Sequence, residues 1–348
     1  MFRKMSVLLT LLTIGLTGFS AFAAESQNPL LGRWMLITPG GGAGWLNVHT
    51  DQGFLDAEIL WIGGSVVPVD SVIIMEHNGQ QNLVVGRLSR REYRDDQRKV
   101  IRTHVQQNTI FCRLAEGDND TLICNLLTVE PVKGQLFSRI NSQEFSGKRA
   151  PEIPPKPDLS QVKFGEPIVL FDGNNMDKWE LVDPDSVNGW AVWDGFLVNN
   201  PVQTPGKHIN YGNLRTKEEF EDFNLTLEVN VPKNGNSGVY LRGIYEVQVA
   251  DTYGRELDSH NMGGIYSRIT PSKAAEKPAG EWQKLDITLV DQHVTVKLNG
   301  ETIIDNEPVE GVTGGALWSD VTRPGPIYLQ GDHTAITYRN IVLRPVVK

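Results

Sequence analysis

The stretch NSGVYLRGIYEVQVAD, residues 236–251, alternates apolar and polar side chains on both sides of a glycine. Successive side chains of a β-strand point to opposite faces, so this alternation predicts two neighbouring antiparallel strands that turn at Gly243. The apolar face carries Val239, Leu241, Val247 and Val249. The other face carries Tyr240, Arg242, Glu246 and Gln248. The apolar face is expected to pack on a core, which leaves the polar face available for binding.

The rest of the chain has the same β character, and helical periodicity is almost absent. Asn299-Gly300 is a strong signal for a two-residue hairpin turn. Further strands are predicted at 32–38, 54–60, 66–75, 83–88, 100–114, 121–129, 136–140, 225–231, 285–290, 293–298, 301–304 and 334–343. We therefore predict an all-β protein, with a C-terminal sandwich of two antiparallel sheets and a smaller N-terminal β-barrel or β-sandwich.

A run of prolines marks the predicted boundary between the two domains. Four prolines lie between residues 151 and 157, and proline favours an extended, semi-rigid chain because it lacks the backbone donor. The predicted organisation is an N-terminal domain at 28–149, a linker at 150–163 and a C-terminal domain at 164–348. A glycine loop at 40–44 lacks the lysine of a phosphate-binding loop and is predicted to be a hairpin tip.

The first 23 residues have the pattern of a secretory signal peptide. Arg3 and Lys4 precede an apolar run from Val7 to Phe19, and Ala21-Phe22-Ala23 has the small-residue pattern of a cleavage site. Cleavage is expected after Ala23, with an uncleaved membrane anchor as the alternative. The mature protein is then expected in the periplasm or outside the cell, without a transmembrane segment.

The charge balance disfavours a nucleic-acid partner. The segment removed with the signal carries two cations and no acidic residue, so the net charge changes from −9 to −11. An acidic surface repels phosphate backbones. The arginines between residues 87 and 94 are interrupted by Glu92 and followed by Asp95 and Asp96, which is typical of solvated strand ends.

Cys112 and Cys124 are the two cysteines of the chain, and their positions are symmetric about Asp118 in a predicted turn. In a regular hairpin they would face each other across two strands. An exported protein meets an oxidising compartment, so a cross-strand disulfide is one prediction and a pair of buried free thiols is the other. Their spacing does not fit a zinc site.

The polar face of the opening stretch is suited to sugar recognition. Arginine and glutamate bind hydroxyl and carbonyl groups through charge-assisted hydrogen bonds, glutamine both donates and accepts, and tyrosine stacks on the apolar face of a sugar ring. The alternative is an ordinary solvated sheet surface.

Several motifs in order resemble the 3-keto-disaccharide hydrolase family over about residues 165–346. They are Leu170-Phe171-Asp172-Gly173, Trp190-Ala191-Val192-Trp193-Asp194-Gly195, Asn236-Ser237-Gly238, Tyr245-Glu246-Val247-Gln248, Lys277-Pro278-Ala279-Gly280-Glu281-Trp282 and Gly325-Pro326-Ile327-Tyr328-Leu329-Gln330. The resemblance implies a concanavalin A-like lectin/glucanase fold, a jelly roll, and hydrolysis of glycosides already oxidised at C3.

One departure concerns the segment after Gly-Pro-Ile. The family commonly reads Leu-Gln-Asp/Asn-His-Gly there, whereas this chain reads Leu329-Gln330-Gly331-Asp332-His333-Thr334. His333 is therefore shifted, or lies in a variant turn.

A ketone at C3 acidifies the C2 hydrogen, so a base can remove it while the C1 substituent leaves, and water then adds to the enone. We predict Glu246 as the base and Arg242 as the enolate stabiliser, with His333 or Tyr240 assisting the leaving group. Direct hydrolysis by Glu246 with Asp251 is disfavoured by their opposite strand parity. The remaining substrate-binding candidates are Tyr240, Gln248, Asp251, Tyr266 and Gln330.

No cofactor is expected, and a divalent cation is left open. Asp251, Glu256, Asp258 and His260 lack the spacing of a calcium loop, and a solvated loop is the preferred interpretation. A non-catalytic, lectin-like carbohydrate-binding module and a scaffold protein are the alternatives to an enzyme, because one fold serves many functions. The sequence leaves the oligomeric state open.

Overall fold

The computed structural model describes residues 28–95, 97, 99–131, 138–204 and 209–347. The predicted signal peptide, residues 1–23, lies outside the described residues. Within them every regular element is a β-strand, as predicted. A search of the same residues for a helix long and apolar enough to span a bilayer finds none.

Nine antiparallel strands form the described part of the N-terminal half. They are β1 (Gly32–Ile37), β2 (Ala43–Asp51), β3 (Phe54–Trp61), β4 (Gly63–Pro68), β5 (Ser71–His77), β6 (Gln80–Arg94), β7 (Val100–Ala115), β8 (Asp118–Pro131) and β9 (Ser138–Arg149). They pair in the order β4-β3-β2-β1-β9-β8-β7-β6-β5.

The two ends of this sheet meet, so it curves into a nearly closed barrel. The backbone N–H of Val69 donates to Ala57 of β3, and that of Asp70 donates to Gly86 of β6, both at 3.0 Å. The sequence predicted a single strand over 66–75. The structure has two strands, β4 and β5, because the chain leaves β3 for β6 between Val69 and Asp70 and so crosses from one end of the sheet to the other.

The cysteines face each other as their symmetry predicted. Cys112 of β7 is the register partner of Cys124 of β8, and the two form a disulfide with their Cα atoms 4.1 Å apart. Both side chains are buried inside the barrel. The disulfide prediction is thus confirmed over the alternative of two free thiols.

Thirteen strands follow among the described residues of the C-terminal half. They are β10 (Ile168–Phe171), β11 (Trp179–Leu181), β12 (Trp190–Trp193), β13 (Phe196–Asn199), β14 (Leu214–Thr216), β15 (Phe223–Asn230), β16 (Asn236–Leu241), β17 (Tyr245–Ala250), β18 (Trp282–Val290), β19 (His293–Leu298), β20 (Glu301–Pro308), β21 (Tyr328–Leu329) and β22 (Ile336–Pro345).

These strands form the predicted sandwich of two sheets. The larger sheet is ordered β12-β13-β22-β15-β18-β19-β20, with β10 paired to β22, and the smaller one is ordered β11-β14-β21-β16-β17. β15 shows the alternation that builds the core, since every second side chain from Phe223 to Val229 is buried. These side chains belong to one apolar cluster with Val239, Leu241, Val247 and Val249 of the smaller sheet. The predicted apolar face of the opening stretch therefore packs on the core.

The turn between β16 and β17 is tighter than strand alternation alone suggests. Arg242 and Gly243 both have positive φ, 54° and 68°, and the N–H of Ile244 donates to the carbonyl of Leu241 at 3.1 Å. Two central residues in this conformation make a type I′ turn. Asn299 and Gly300, with φ of 53° and 92°, have the same conformation in the predicted hairpin turn.

The two halves of the chain pack directly against each other. Trp45 and Leu60 of the barrel belong to the apolar cluster of the sandwich. A Cβ added at Gly311 would lie 2.7 Å from Trp45 Cζ2, so the tryptophan ring rests on the bare glycine backbone. The segment 150–163 contains no strand, and its prolines are held on both sides: Pro151 accepts from Arg33 and Pro157 from Asn306.

Candidate active site

A cavity of about 350 Å³ lies over the outer face of the smaller sheet. Strand parity places its polar side chains there, since Tyr240 pairs with Glu246 and Gly238 with Gln248 across β16 and β17. The cavity is lined by Gly63, Gly64, Asn213, Asn236, Tyr240, Glu246, Gln248, Tyr266, Gly314, Gly315, Tyr328, Gln330, Asp332 and His333. The polar face predicted from the sequence is therefore covered by loops instead of being an open solvated surface.

Glu246 is the buried carboxyl of this cavity, with 4% of its surface exposed. Burial disfavours the charged form and raises the pKa of Glu246 to about 8, and the contact with Tyr240 and the nearby His333 oppose this only partly. Gly238 makes room for the carboxyl, since a Cβ there would lie 2.9 Å from Glu246 Cδ.

The Tyr240 hydroxyl connects Glu246 to the backbone. Its oxygen lies 2.8 Å from Glu246 Oε2 and 2.7 Å from the carbonyl oxygen of Gly314. A phenol has one proton and a carbonyl can only accept. Both contacts are satisfied when protonated Glu246 donates to Tyr240 and Tyr240 donates to Gly314. When Glu246 loses its proton, Tyr240 can turn its own proton toward the carboxylate.

A second tyrosine lies against the first. The rings of Tyr240 and Tyr328 stack with centroids 4.1 Å apart and an interplanar angle of 13°. Asn213 Nδ2 donates to the Tyr328 hydroxyl at 2.9 Å, and an oxygen that accepts this bond keeps its own proton to donate. Burial raises the pKa of both tyrosines, so they remain protonated donors at neutral pH.

His333 and Asp332 form a pair at the mouth of the cavity. His333 Nδ1 lies 2.6 Å from Asp332 Oδ1, and both side chains are partly exposed. This hydrogen bond raises the pKa of His333, because a carboxylate stabilises the imidazolium form. The variant turn after Gln330 thus still brings a histidine into the same cavity as Glu246.

Two amide oxygens of the cavity residues lack a partner. Gln248 Oε1 and Gln330 Oε1 are buried without a hydrogen bond, while Gln248 Nε2 donates to Asn236 Oδ1 at 2.8 Å. A buried acceptor without a partner costs free energy, about 1–3 kcal/mol.

The structure does not place Arg242 in the cavity. Alternation ends at Leu241, and the positive φ of Arg242 directs its side chain to the carbonyls of Val321 and Arg323, 2.7 Å away at Val321. Because the Arg242 guanidinium donates to these carbonyls, it fixes the loop that contains Val321 and Arg323. Its placement therefore does not fit the predicted role of enolate stabiliser.

Asp251 is separated from Glu246, as their parity suggested. It lines an adjoining cavity of about 300 Å³, where Oδ2 accepts the N–H of Asn234 at 2.8 Å. Gln248 and Tyr266 line both cavities. The structure thus brings Glu246, His333, Tyr240, Gln248, Tyr266 and Gln330 together and places Arg242 and Asp251 elsewhere.

Sequence reasoning missed eight of the lining residues, all polar or glycine: Gly63, Gly64, Asn213, Asn236, Gly314, Gly315, Tyr328 and Asp332. Tyr328 and Gln330 flank the core residue Leu329, so the same alternation rule could have found Tyr328 beside the predicted Gln330. Nothing in the sequence signals Gly63 and Gly64, which come from the other half of the chain. Among the described residues, no three His, Cys, Asp or Glu side chains are grouped to hold a metal ion.

The fold and the cavity define a two-sheet β-sandwich protein with a buried carboxyl and paired tyrosines in one polar pocket. Residues 166–344 match the model of a family described as the 3-keto-alpha-glucoside-1,2-lyase-like domain. The chain belongs to this family. The resemblance found from its sequence motifs is thereby confirmed.

Among the proteins that are similar to this chain are the following three. A 3-keto-disaccharide hydrolase of Bacteroides thetaiotaomicron is 26% identical over 167 residues, which cover 40% of this chain and 57% of that protein. The chain thus spans less than two thirds of the length of this relative. A crystal structure from Parabacteroides distasonis, described as a candidate glycosyl hydrolase, is 32% identical with a TM-score of 0.43, covering 55% of this chain and 93% of that one. A second from the same organism is 25% identical with a TM-score of 0.38, covering 52% and 100%.

Proposed function

We propose that the protein cleaves glycosides that carry a ketone at C3, by elimination across C1 and C2 followed by addition of water. The observation that supports this most strongly is Glu246, a buried carboxyl with its pKa raised to about 8, in one cavity with two tyrosine donors and a histidine. A base with a pKa near the working pH suits removal of a weakly acidic C2 hydrogen. Membership of a family named for 1,2-lyase activity on 3-keto-glucosides supports the same chemistry.

In the proposed first step, the Glu246 carboxylate takes the proton from C2 and the electrons of the C2–H bond form an enolate at C3. Tyr328, which accepts from Asn213, donates its proton as a hydrogen bond to the enolate oxygen and takes the role first predicted for Arg242. The bond between C1 and the leaving oxygen then breaks. The His333 imidazolium, stabilised by Asp332, protonates that oxygen.

In the second step, water adds to C1 of the enone. Neutral His333 takes a proton from the water, and Glu246, after exchanging its proton with solvent, delivers a proton to C2. Both side chains end in their starting states, and the net reaction is hydrolysis of the glycosidic bond. The segment with the pattern of a signal peptide supports a further proposal, that the reaction takes place in the periplasm or outside the cell.

The test is to incubate the purified protein with a 3-keto-glucoside and, separately, with the unoxidised parent in deuterated water. We expect the keto form alone to release its leaving group, with deuterium incorporated at C2. Mass spectrometry of the sugar product measures both events. Equal release from both forms without deuterium at C2 would contradict elimination, and saturable binding without release would favour the lectin-like alternative.

The raised pKa of Glu246 predicts a steep pH dependence. The base must be the carboxylate, and below its folded pKa of about 8 the carboxylate fraction falls about tenfold per pH unit. We therefore expect kcat/KM to fall about tenfold per unit as the pH decreases from about 7.5 to about 5.5. Initial rates across this range measure it. A flat profile between these values would mean that Glu246 is not the group that must lose a proton.

A further inference from the structure

The wall of the cavity beyond the β17 edge comes from the N-terminal barrel. Gly63 and Gly64, the first residues of β4 after the turn from β3, line the same cavity as Glu246 and His333. These residues lie far outside the part of the chain that matches the family model, 166–344. The cavity is therefore built by both halves of the chain.

The turn is fastened to the sandwich at several points. The N–H of Gly315 donates to Ile62 O at 3.3 Å, and the N–H of Val66 donates to Ser267 Oγ at 2.8 Å. Gly314 lies so close to the turn that a Cβ there would be 2.8 Å from Gly64 N. Since Gly314 also accepts from Tyr240, the turn rests directly on the backbone that positions Tyr240 beside Glu246.

The same turn supports the neighbouring loop. Ser65 Oγ lies 2.9 Å from His260 Nε2, and the His260 ring packs edge-on against Tyr266 with centroids 4.7 Å apart. Tyr266 and His260 both line the adjoining cavity, which shares Gln248 with the first. The barrel thus reaches the boundary between the two cavities.

Ile62 adopts a conformation that β-branched residues rarely accept. Its φ is 68°, while its N–H donates to Ala43 and its carbonyl accepts from Gly315. Such a conformation is strained for a β-branched residue and persists where surrounding contacts determine it, commonly at functional sites.

We propose that residues 62–65, the barrel wall, close the cavity beyond β17 and select short glycosides by the size of the leaving group. A long glycan crossing the sheet toward β17 would meet the barrel wall, whereas a single sugar or small aglycone fits beside it. The proposal rests on the proposed function for its substrate class. The position of the barrel wall does not depend on the proposed function, because it follows from the contacts that the barrel makes with the sandwich.

Gly63→Phe tests the proposal, because φ at Gly63 is not positive and a Cβ there meets no atom within 4 Å. The matched control is Ile73→Phe, on β5 with 53% exposure and away from the cavity. We expect Gly63→Phe to lower kcat/KM for a 3-keto-disaccharide at least about tenfold more than for a methyl 3-keto-glucoside, a loss expected when a bulky group fills a binding pocket. Ile73→Phe should leave both values unchanged.

A readout without sugar separates this proposal from the proposed function. In ¹³C-labelled protein, the carboxyl resonance of Glu246, assigned by its absence from Glu246→Gln, should shift in Gly63→Phe and not in Ile73→Phe. A shift with a wild-type protein that neither binds nor cleaves any keto-glycoside would support the wall and contradict the proposed function. An active wild-type protein whose Gly63→Phe variant shows no shift, or loses both substrates equally, would overturn size selection by the barrel wall.

Discussion

Replacing Glu246 by glutamine is expected to lower kcat for a 3-keto-glucoside roughly 10³-fold while the substrate still binds, because removal of a general base typically costs 10²- to 10⁴-fold. Glutamine has the shape of the protonated acid and can still donate to Tyr240, so the hydrogen-bonded arrangement of the cavity survives. Single-turnover rates and equilibrium binding of the keto sugar, measured separately, distinguish lost chemistry from lost binding.

The matched control is Glu180→Gln on β11, at the far edge of the same sheet, where the carboxylate is half-exposed and lies 3.5 Å from Arg215. Exposed ion pairs contribute little, so this variant should keep wild-type activity. Unfolding curves add a second check. A carboxyl whose folded pKa is raised holds its proton between the unfolded and folded pKa values, so its contribution to stability falls as the pH rises through that window.

Glutamine does not titrate, so Glu246→Gln should be no less stable than the wild type at about pH 8. A variant that folds and keeps more than about a tenth of the activity would show that another group removes the C2 proton. His333 and Asp332 would then be the remaining candidate bases of the cavity.

Replacing Tyr328 by phenylalanine is expected to lower kcat about 10²-fold with little change in KM, because loss of one donor to a developing oxyanion typically costs 10²- to 10³-fold. The ring and its stacking on Tyr240 remain, so the variant removes the hydroxyl alone. Steady-state kinetics, with thermal unfolding as a measure of folding, checks the expectation.

Tyr338→Phe is the matched control for this variant. Tyr338 is a buried tyrosine of β22 whose hydroxyl lies 2.9 Å from Ser237 Oγ, and it does not line the cavity. Loss of either hydroxyl removes one buried hydrogen bond and should cost a similar stability, about 1 kcal/mol. Equal losses of kcat in the two variants would mean that Tyr328 acts only through packing.

Arg242 and Glu246 show where strand parity predicts the direction of a side chain correctly and where it does not. Both were placed on the polar face by counting residues, and the register of β16 with β17 bears this out for Glu246 and its partner Tyr240. The alternation rule gives the wrong direction for the Arg242 side chain because the strand has ended and the type I′ turn begins at this residue. Its backbone conformation, and the free carbonyls of a loop distant in sequence, determine where the guanidinium goes.

Local patterns in the sequence determined the β character of the chain, the turn at Asn299-Gly300, the facing cysteines and the polar face that bears Glu246. These features depend on side-chain alternation and turn preferences, which act between near neighbours or across one hairpin. The family motifs added the class of chemistry.

Only the tertiary structure decided what the polar face becomes. Loops within residues 251–281, 309–327 and 330–335, together with the barrel wall, cover the outer side of the sheet and leave Glu246 only 4% exposed. Desolvation depends on every group around a carboxyl, including Gly63 and Gly64 from the other half of the chain. The pKa of Glu246, the pairing of Tyr240 with Tyr328 and the two-part cavity therefore follow from packing between distant segments, which no local pattern records.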